Sequence, residues 1–135
     1  MPVIRRTESR RTETPNAVMT TLASPTQGGA GQAVWRVEMR AGRSGPPHAM
    51  DTEQIWTVLS GAATVELAGQ SLTIEPGDTL VIPADTPRRV SVEGPAGFAA
   101  MVVAPGGTRA YRLDDPTHAP GAVPDGDKLV PDWTR

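Results

Sequence analysis

The chain has 135 residues, of which 38% are hydrophobic and 21% charged, a composition typical of one globular domain. Its formal net charge of -2 provides no basic field for nucleic acid, and the lack of cysteine excludes disulfides, thiolate nucleophiles and thiolate metal sites. No apolar run is long enough to span a membrane, and the N-terminus does not resemble a secretory signal. We therefore expect a cytoplasmic protein with neither a membrane nor a nucleic-acid partner.

The hydrophobic pattern along the chain is that of short strands. Residues 1–15 are polar and rich in arginine, and we expect a flexible arm or an edge strand there. From residue 17 apolar side chains recur with a period of two, as where Trp35, Val37 and Met39 share one face. Strands are predicted at 17–24, 33–39, 54–60, 62–68, 70–75, 79–83, 88–93 and 97–104.

Glycine and proline interrupt these strands at regular intervals. The chain has 14 of each, and no segment shows an amphipathic helix pattern. Many short strands separated by turns predict a closed all-β barrel or sandwich over residues 16–113. Residues 114–135 lack periodicity and form a Pro-rich tail that we expect to wrap the surface or to be disordered. Leu129, Val130 and Trp133 in this tail are candidates for docking against the barrel or a second subunit.

Two segments carry a more specific pattern. The residues that define it are Gly42, His48, Met50, Gln54 and Gly61 in the first segment, and Gly77, Pro83, Asp85 and Arg88 in the second. Their spacing resembles the two conserved motifs of the cupin superfamily, and the resemblance covers roughly residues 33–104. It implies an all-β double-stranded β-helix, the cupin jelly-roll barrel, with a site inside the barrel.

The framework positions of these motifs have physical reasons. Gly61 allows a tight reversal between two strands. Pro76 and Gly77 suit a type II turn, in which the second central residue has a positive φ. Asp85 stands where the family usually has glycine, and aspartate is among the few residues that tolerate the left-handed region.

The metal-ligand positions match the family poorly. The resemblance implies two histidines in a His-x-His pair, a glutamate and a third histidine around a divalent metal. Here His48 matches the first position, whereas Met50, Gln54 and Arg88 occupy the other three. Arginine has no lone pair to give, so we expect no metal cofactor. If a divalent metal ion does bind, His48 and Gln54 are its expected ligands.

The remaining expectation is a small-molecule pocket with a polar and an apolar end. His48 is the expected general acid/base, Gln54 the residue that orients substrate or stabilises an oxyanion, and Arg88 the partner of a carboxylate or enolate oxygen. Arg88 and Arg89 are neighbours, and a slip of one residue in register would exchange the inward one. The expected substrate-binding residues are Trp35, Met39, Met50, Trp56 and Met101.

These residues favour an enzyme that performs proton-transfer chemistry on an acidic or enolisable metabolite, such as isomerisation, cyclisation, dehydration or elimination. Cupins similar to this chain include small enzymes of natural-product pathways, such as polyketide cyclases. One alternative is a non-catalytic ligand-binding or sensory module. Another is a metal-dependent oxygenase or lyase with unusual ligands, which would need His118 from the tail.

The resemblance also implies a homodimer. The sequence adds weak support, because the N-terminal segment has no obvious place in a single barrel.

Overall fold

A computed structural model describes residues 2–113 and 128–135. It is all-β apart from one 3-10 turn at Arg6–Glu8. Among the described residues, no helix has the length and apolar character needed to cross a membrane. The strands are β1 Arg10–Glu13, β2 Val18–Ala23, β3 Gln32–Met39, β4 His48–Met50, β5 Gln54–Gly61, β6 Ala63–Leu67, β7 Gln70–Ile74, β8 Thr79–Ile82, β9 Arg88–Ser91, β10 Phe98–Pro105 and β11 Ala110–Arg112.

These strands form two antiparallel sheets that enclose the core. The larger sheet has six strands in the order β1-β2-β3-β10-β5-β8, and the smaller has five in the order β11-β4-β9-β6-β7. Each sheet therefore combines strands from both halves of the chain, as expected for a jelly roll. The predicted all-β double-stranded β-helix is confirmed.

Side-chain alternation fixes which residues reach the interior. Along β3, Trp35, Val37 and Met39 are buried and their neighbours are more exposed, as the period of two predicts. Along β5, the buried set begins at Gln54, whereas Ile55 is exposed. The register that the motif spacing predicts for β5 is therefore the observed one, and its polar glutamine lies inside the barrel.

Two turns show why their residues are needed. Gly61 has a φ of 71°, and a Cβ atom there would collide with the backbone carbonyl of Gly97, which lies just before β10. Gly77 has a φ of 90°, in agreement with the predicted turn after Pro76. Asp85 lies at a φ of 56°, so its aspartate does occupy the left-handed region.

The ends of the chain are more ordered than the sequence indicates. Arg10–Glu13 pairs in antiparallel register with β2 of the same barrel, so the N-terminal segment does have a place in a single barrel. It therefore gives no support to a homodimer, which stays a prediction. Two three-residue strands, β4 and β11, were not predicted, because three residues are too few to show a period.

The last residues of the chain dock on the barrel. Leu129 and Ala110 exchange two backbone hydrogen bonds of 2.8 and 3.0 Å, and the backbone N–H of Gly107 donates to the carbonyl of Thr134 at 2.7 Å. Trp133 packs against the core, while Leu129 and Val130 remain largely exposed. The predicted tail thus includes a docked C-terminal segment, residues 128–135. His118 and the rest of the predicted tail, 114–127, lie outside the described residues.

Candidate functional site

A cavity of about 620 Å³ opens inside the barrel. Its volume is in the range of small-molecule sites, and its lining is mostly apolar. Four of the five aromatic residues of the chain line it, namely Trp35, Trp56, Tyr111 and Trp133. The cavity therefore offers flat apolar surfaces on several sides together with a few polar groups.

The structure brings most of the expected site residues to this cavity. The expected residues that line it are Trp35, Met39, His48, Met50, Gln54 and Trp56. Met101 does not line it. It lies on the opposite face of β10 from the buried Ala100 and Val102, so the expectation that it contacts substrate is wrong. A strand that is apolar on both faces gives no alternation from which to choose the inner set.

Gln54 is the best-defined polar group of the cavity. Its side-chain oxygen Oε1 accepts hydrogen bonds from Nη1 of Arg88 at 2.6 Å and from Nε1 of Trp56 at 3.2 Å. Both partners can only donate, so the oxygen end of the amide must face them. The NH₂ group is therefore the end of Gln54 left to donate to a ligand.

His48 supplies a hydrogen-bond acceptor to the same cavity, where Gln54 supplies a donor. It lies on β4, and its Nδ1 is 2.9 Å from the carbonyl oxygen of Pro46, so Nδ1 carries the proton and Nε2 is the acceptor of the neutral ring. Burial lowers the pKa of His48 to about 4, against the opposing effect of the Pro46 hydrogen bond, and the charges of Arg88 and Arg112 lower it further. The ring is therefore neutral at pH 7.

Arg88 lies behind these two residues rather than in the cavity wall. It is paired with His48 across β9 and β4 and is only 2% exposed, whereas Arg89 is exposed. Besides its bond to Gln54, Arg88 donates from Nε to the carbonyl of Thr86 at 3.4 Å. Its Nη2 has no hydrogen-bond partner, and no ion pair among the described residues involves it.

Arg88 is therefore a buried cation that has no carboxylate partner within residues 2–113 and 128–135. Burial lowers the pKa of Arg88 to about 10, which still leaves the guanidinium charged at pH 7. Arg88 does not line the cavity, so the geometry does not favour the expected direct contact between Arg88 and a substrate. Arg88 holds the Gln54 amide in place and makes the electrostatic potential at the polar end of the cavity positive.

Tyr111 is a site residue that the sequence analysis missed. It lines the cavity from β11, and its hydroxyl donates to Oδ1 of Asp85 at 2.9 Å. Burial raises the pKa of Tyr111 to about 12, and the hydrogen bond and charge of Asp85 add to this, so the phenol stays protonated. The only tyrosine of a chain poor in aromatics was a signal, but β11 was too short to be predicted.

The polar groups of the site do not fit a divalent metal ion. Among the described residues, no group of three histidine, cysteine, aspartate or glutamate side chains could hold one. The Gln54 oxygen, the second expected ligand, already accepts two hydrogen bonds, one of them from a buried cation. A metal at this point would face the Arg88 charge with His48 as its only nitrogen ligand.

Comparison with known proteins places this fold in a family. A family model described as "Cupin domain" matches residues 35–110, which is more than half of the chain. The chain belongs to the cupin family. No curated protein matches this cupin.

Solved structures share its fold at low sequence identity. The polyketide cyclase RemF from Streptomyces resistomycificus is 24% identical, with a TM-score of 0.67 over 78% of this chain and 79% of that one. KdgF from Halomonas sp. is also 24% identical, with a TM-score of 0.64 over 85% and 97% of the two chains. Salicylate 1,2-dioxygenase from Pseudoaminobacter salicylatoxidans is 20% identical, with a TM-score of 0.66 over 78% of this chain and 31% of that one.

Proposed function

We propose that this cupin is a small-molecule enzyme that transfers a proton within an enolisable metabolite bound in the barrel cavity. The observation that supports this proposal is the hydrogen-bonding state of two residues that line the cavity. Nδ1 of His48 donates to the Pro46 carbonyl, so its Nε2 remains free as an acceptor for a ligand. Oε1 of Gln54 accepts from Arg88 and Trp56, so its NH₂ group remains as a donor for a ligand. A base beside a neutral donor is the minimum needed to form and stabilise an enolate.

The proposed step uses only groups of this chain. Nε2 of His48 takes a proton from the carbon next to a carbonyl group, and the C–H electron pair moves to form the enolate, with negative charge on oxygen. The Gln54 NH₂ group donates a hydrogen bond to that oxygen, and the positive charge of Arg88 behind it favours the anion. Return of the proton from His48 to a second carbon conjugated with the enolate gives isomerisation. Attack of the enolate on a second carbonyl, whose oxygen then takes the proton from His48, gives cyclisation.

The low pKa of His48 counts against its role as the base at neutral pH. A base with a pKa near 4 abstracts protons poorly at neutral pH, because its conjugate acid is too strong. Negative charge that develops on the ligand would raise this pKa, since it stabilises the imidazolium ion. The same low value favours a second candidate function, a non-catalytic module in which His48 accepts a hydrogen bond from a bound ligand and keeps its proton state.

The structural neighbours support the enzyme reading by analogy. One of them is a polyketide cyclase, and another is a dioxygenase of salicylate. Their identities to this chain are 24% and 20%, which supports a shared fold and leaves the chemistry to the residues of the site. His48 and Gln54 suit proton transfer, and neither the scheme nor its groups call for a metal.

Hydrogen–deuterium exchange tests the proposal. An enolisable aromatic ketone such as 2-tetralone is incubated with the protein in deuterated buffer near neutral pH, and exchange next to the carbonyl is followed by NMR. We expect the wild type to accelerate exchange above the buffer rate. His48→Gln should lose the acceleration because it lacks the base, and Gln54→Leu should lose most of it because it lacks the donor.

Met101→Leu is the matched control, because Met101 faces away from the cavity, and it should behave as wild type. Binding of the ketone without acceleration would favour the binding module. Equal acceleration by wild type and His48→Gln would remove His48 from the chemistry.

A further inference from the structure

Two arginines, Arg88 and Arg112, place positive charge around the polar end of the cavity. Arg88 is charged, almost fully buried and without a carboxylate partner among the described residues. Arg112, on β11, lines the cavity, and its charge acts on His48 together with that of Arg88. Within residues 2–113 and 128–135, the cavity lining includes no aspartate or glutamate.

Two acidic groups whose charges act on Tyr111 have partners other than Arg88. Asp85 accepts a hydrogen bond from the Tyr111 hydroxyl, and Asp51 forms an ion pair of 2.9 Å with Arg109. Neither forms an ion pair with Arg88, and burial is the main cause that lowers the pKa of Arg88. A buried cation that has no carboxylate partner among the described residues and an unpartnered Nη2 is costly, and an anion that reaches its vicinity recovers part of that cost.

The apolar part of the cavity gives the shape of the ligand. Trp35 and Trp56 come from the larger sheet, and Trp133 reaches the cavity from the docked C-terminal segment. This segment lies outside the residues that match the family model, and it is held by hydrogen bonds to Gly107, Thr108 and Ala110. Aromatic walls on several sides favour flat ligands, because stacked rings gain most from contact over their faces.

We propose that the ligand is a planar, largely apolar organic acid whose acidic group points to the Arg88 end of the cavity and whose ring system lies against Trp133. This inference rests on the proposed function, since it names the ligand class of the same site. It also assigns roles outside the matched motif region, with Trp133 as a residue that recognises the flat body of the ligand.

Three probes of nearly equal size and shape separate charge from shape. They are 2-naphthoate, 2-naphthamide and 2-naphthylmethylammonium, whose dissociation constants are measured by isothermal titration calorimetry at pH 7.5. We expect the acid to bind at least tenfold more tightly than the amide, which is about 1.4 kcal/mol. The cation should bind most weakly.

Variants then show which residues cause the preference for the acid over the amide. Arg88→Met should remove most of the preference for acid over amide, and Arg112→Gln should reduce it. Arg89→Gln is the matched control, because Arg89 faces outward, and its acid preference should equal that of the wild type. Trp133→Ala should weaken the acid and the amide by the same factor and leave their ratio unchanged.

Three outcomes would contradict different parts of the two proposals. Equal binding of the acid and the amide would overturn the acidic ligand class while leaving a small-molecule site in place. Failure of all three probes to bind at millimolar concentration would contradict both this inference and the proposed function. An acid preference that survives in both Arg88→Met and Arg112→Gln would overturn the assignment of the charge to these residues.

Discussion

Replacement of Arg88 by methionine should stabilise the free protein. Each tenfold change in proton affinity corresponds to about 1.4 kcal/mol, so the fall of the Arg88 pKa to about 10 implies that burying its charge costs roughly 3 kcal/mol. The hydrogen bond to Gln54 returns roughly 1.5–2 kcal/mol, because its donor is charged. Methionine has a similar length and no charge, so Arg88→Met should raise the free energy of unfolding by about 1–2 kcal/mol. This agrees with the roughly 1–4 kcal/mol seen when buried ionic groups are replaced by apolar ones.

Urea unfolding at pH 7.5 in a buffer free of organic acids measures this effect. Arg89→Met makes the same substitution at the next residue, which is exposed and donates to the hydroxyl of Ser44 at 2.9 Å. It should change the free energy of unfolding by no more than about 0.5 kcal/mol. A loss of more than about 1 kcal/mol in Arg88→Met relative to Arg89→Met would refute the reasoning, because it would mean that the Arg88 charge is already compensated in the free protein.

Three further predictions concern other parts of the barrel. The native His48 stays neutral down to about pH 4, whereas the unfolded imidazole takes up a proton below its ordinary pKa of 6.5. The free energy of unfolding should therefore fall between pH 7.5 and pH 4.5, by about 2–3 kcal/mol more in wild type than in His48→Gln, as measured by urea unfolding at both pH values. An equal loss in both proteins would contradict the buried neutral ring. Gln54→Glu should raise the midpoint temperature of unfolding, because the new carboxylate pairs with Arg88. It should lose the exchange activity, because a carboxylate cannot donate a hydrogen bond. An active variant would show that the amide donor of Gln54 is not needed. Gly61→Ala should lower the free energy of unfolding by more than about 3 kcal/mol, or prevent folding, because its Cβ meets the Gly97 carbonyl. Gly42→Ala, at a φ of 79° and with open space around the Cβ, should lower it by only about 1–2 kcal/mol. Similar losses of stability in both variants would contradict the close approach of Gly61 to Gly97.

The fold was largely predictable because its signals are local. Alternation in β3 and β5 fixed which residues face the interior, and Gly61, Gly77 and Asp85 marked turns by their tolerance of positive φ. The short strands β4 and β11 were missed, because three residues show no period and their pairing depends on distant partners. The apolar residues of the tail made docking of the C-terminal segment a candidate, but the sequence did not give its partners, since the hydrogen bonds reach residues more than 15 positions away.

The site was predictable in composition and less so in geometry. The motif spacing brought His48, Gln54 and Arg88 together, but it did not reveal that Arg88 lies behind Gln54 and fixes the orientation of its amide. Tyr111 and Trp133 join the cavity through tertiary packing that no sequence period encodes. The error at Met101 arose because β10 carries apolar residues on both faces.

The central claim is that the polar end of this cupin cavity is an organic donor–acceptor pair held by a buried arginine, where the family resemblance implies a metal centre. Elemental analysis of the natively purified, tag-free protein by inductively coupled plasma mass spectrometry tests it most directly. The account predicts far less than one equivalent of iron, nickel, manganese, copper or zinc per chain. Close to one equivalent of any of these metals would contradict it, because His48 and Gln54 would then be ligands and the Gln54 oxygen would have to leave Arg88.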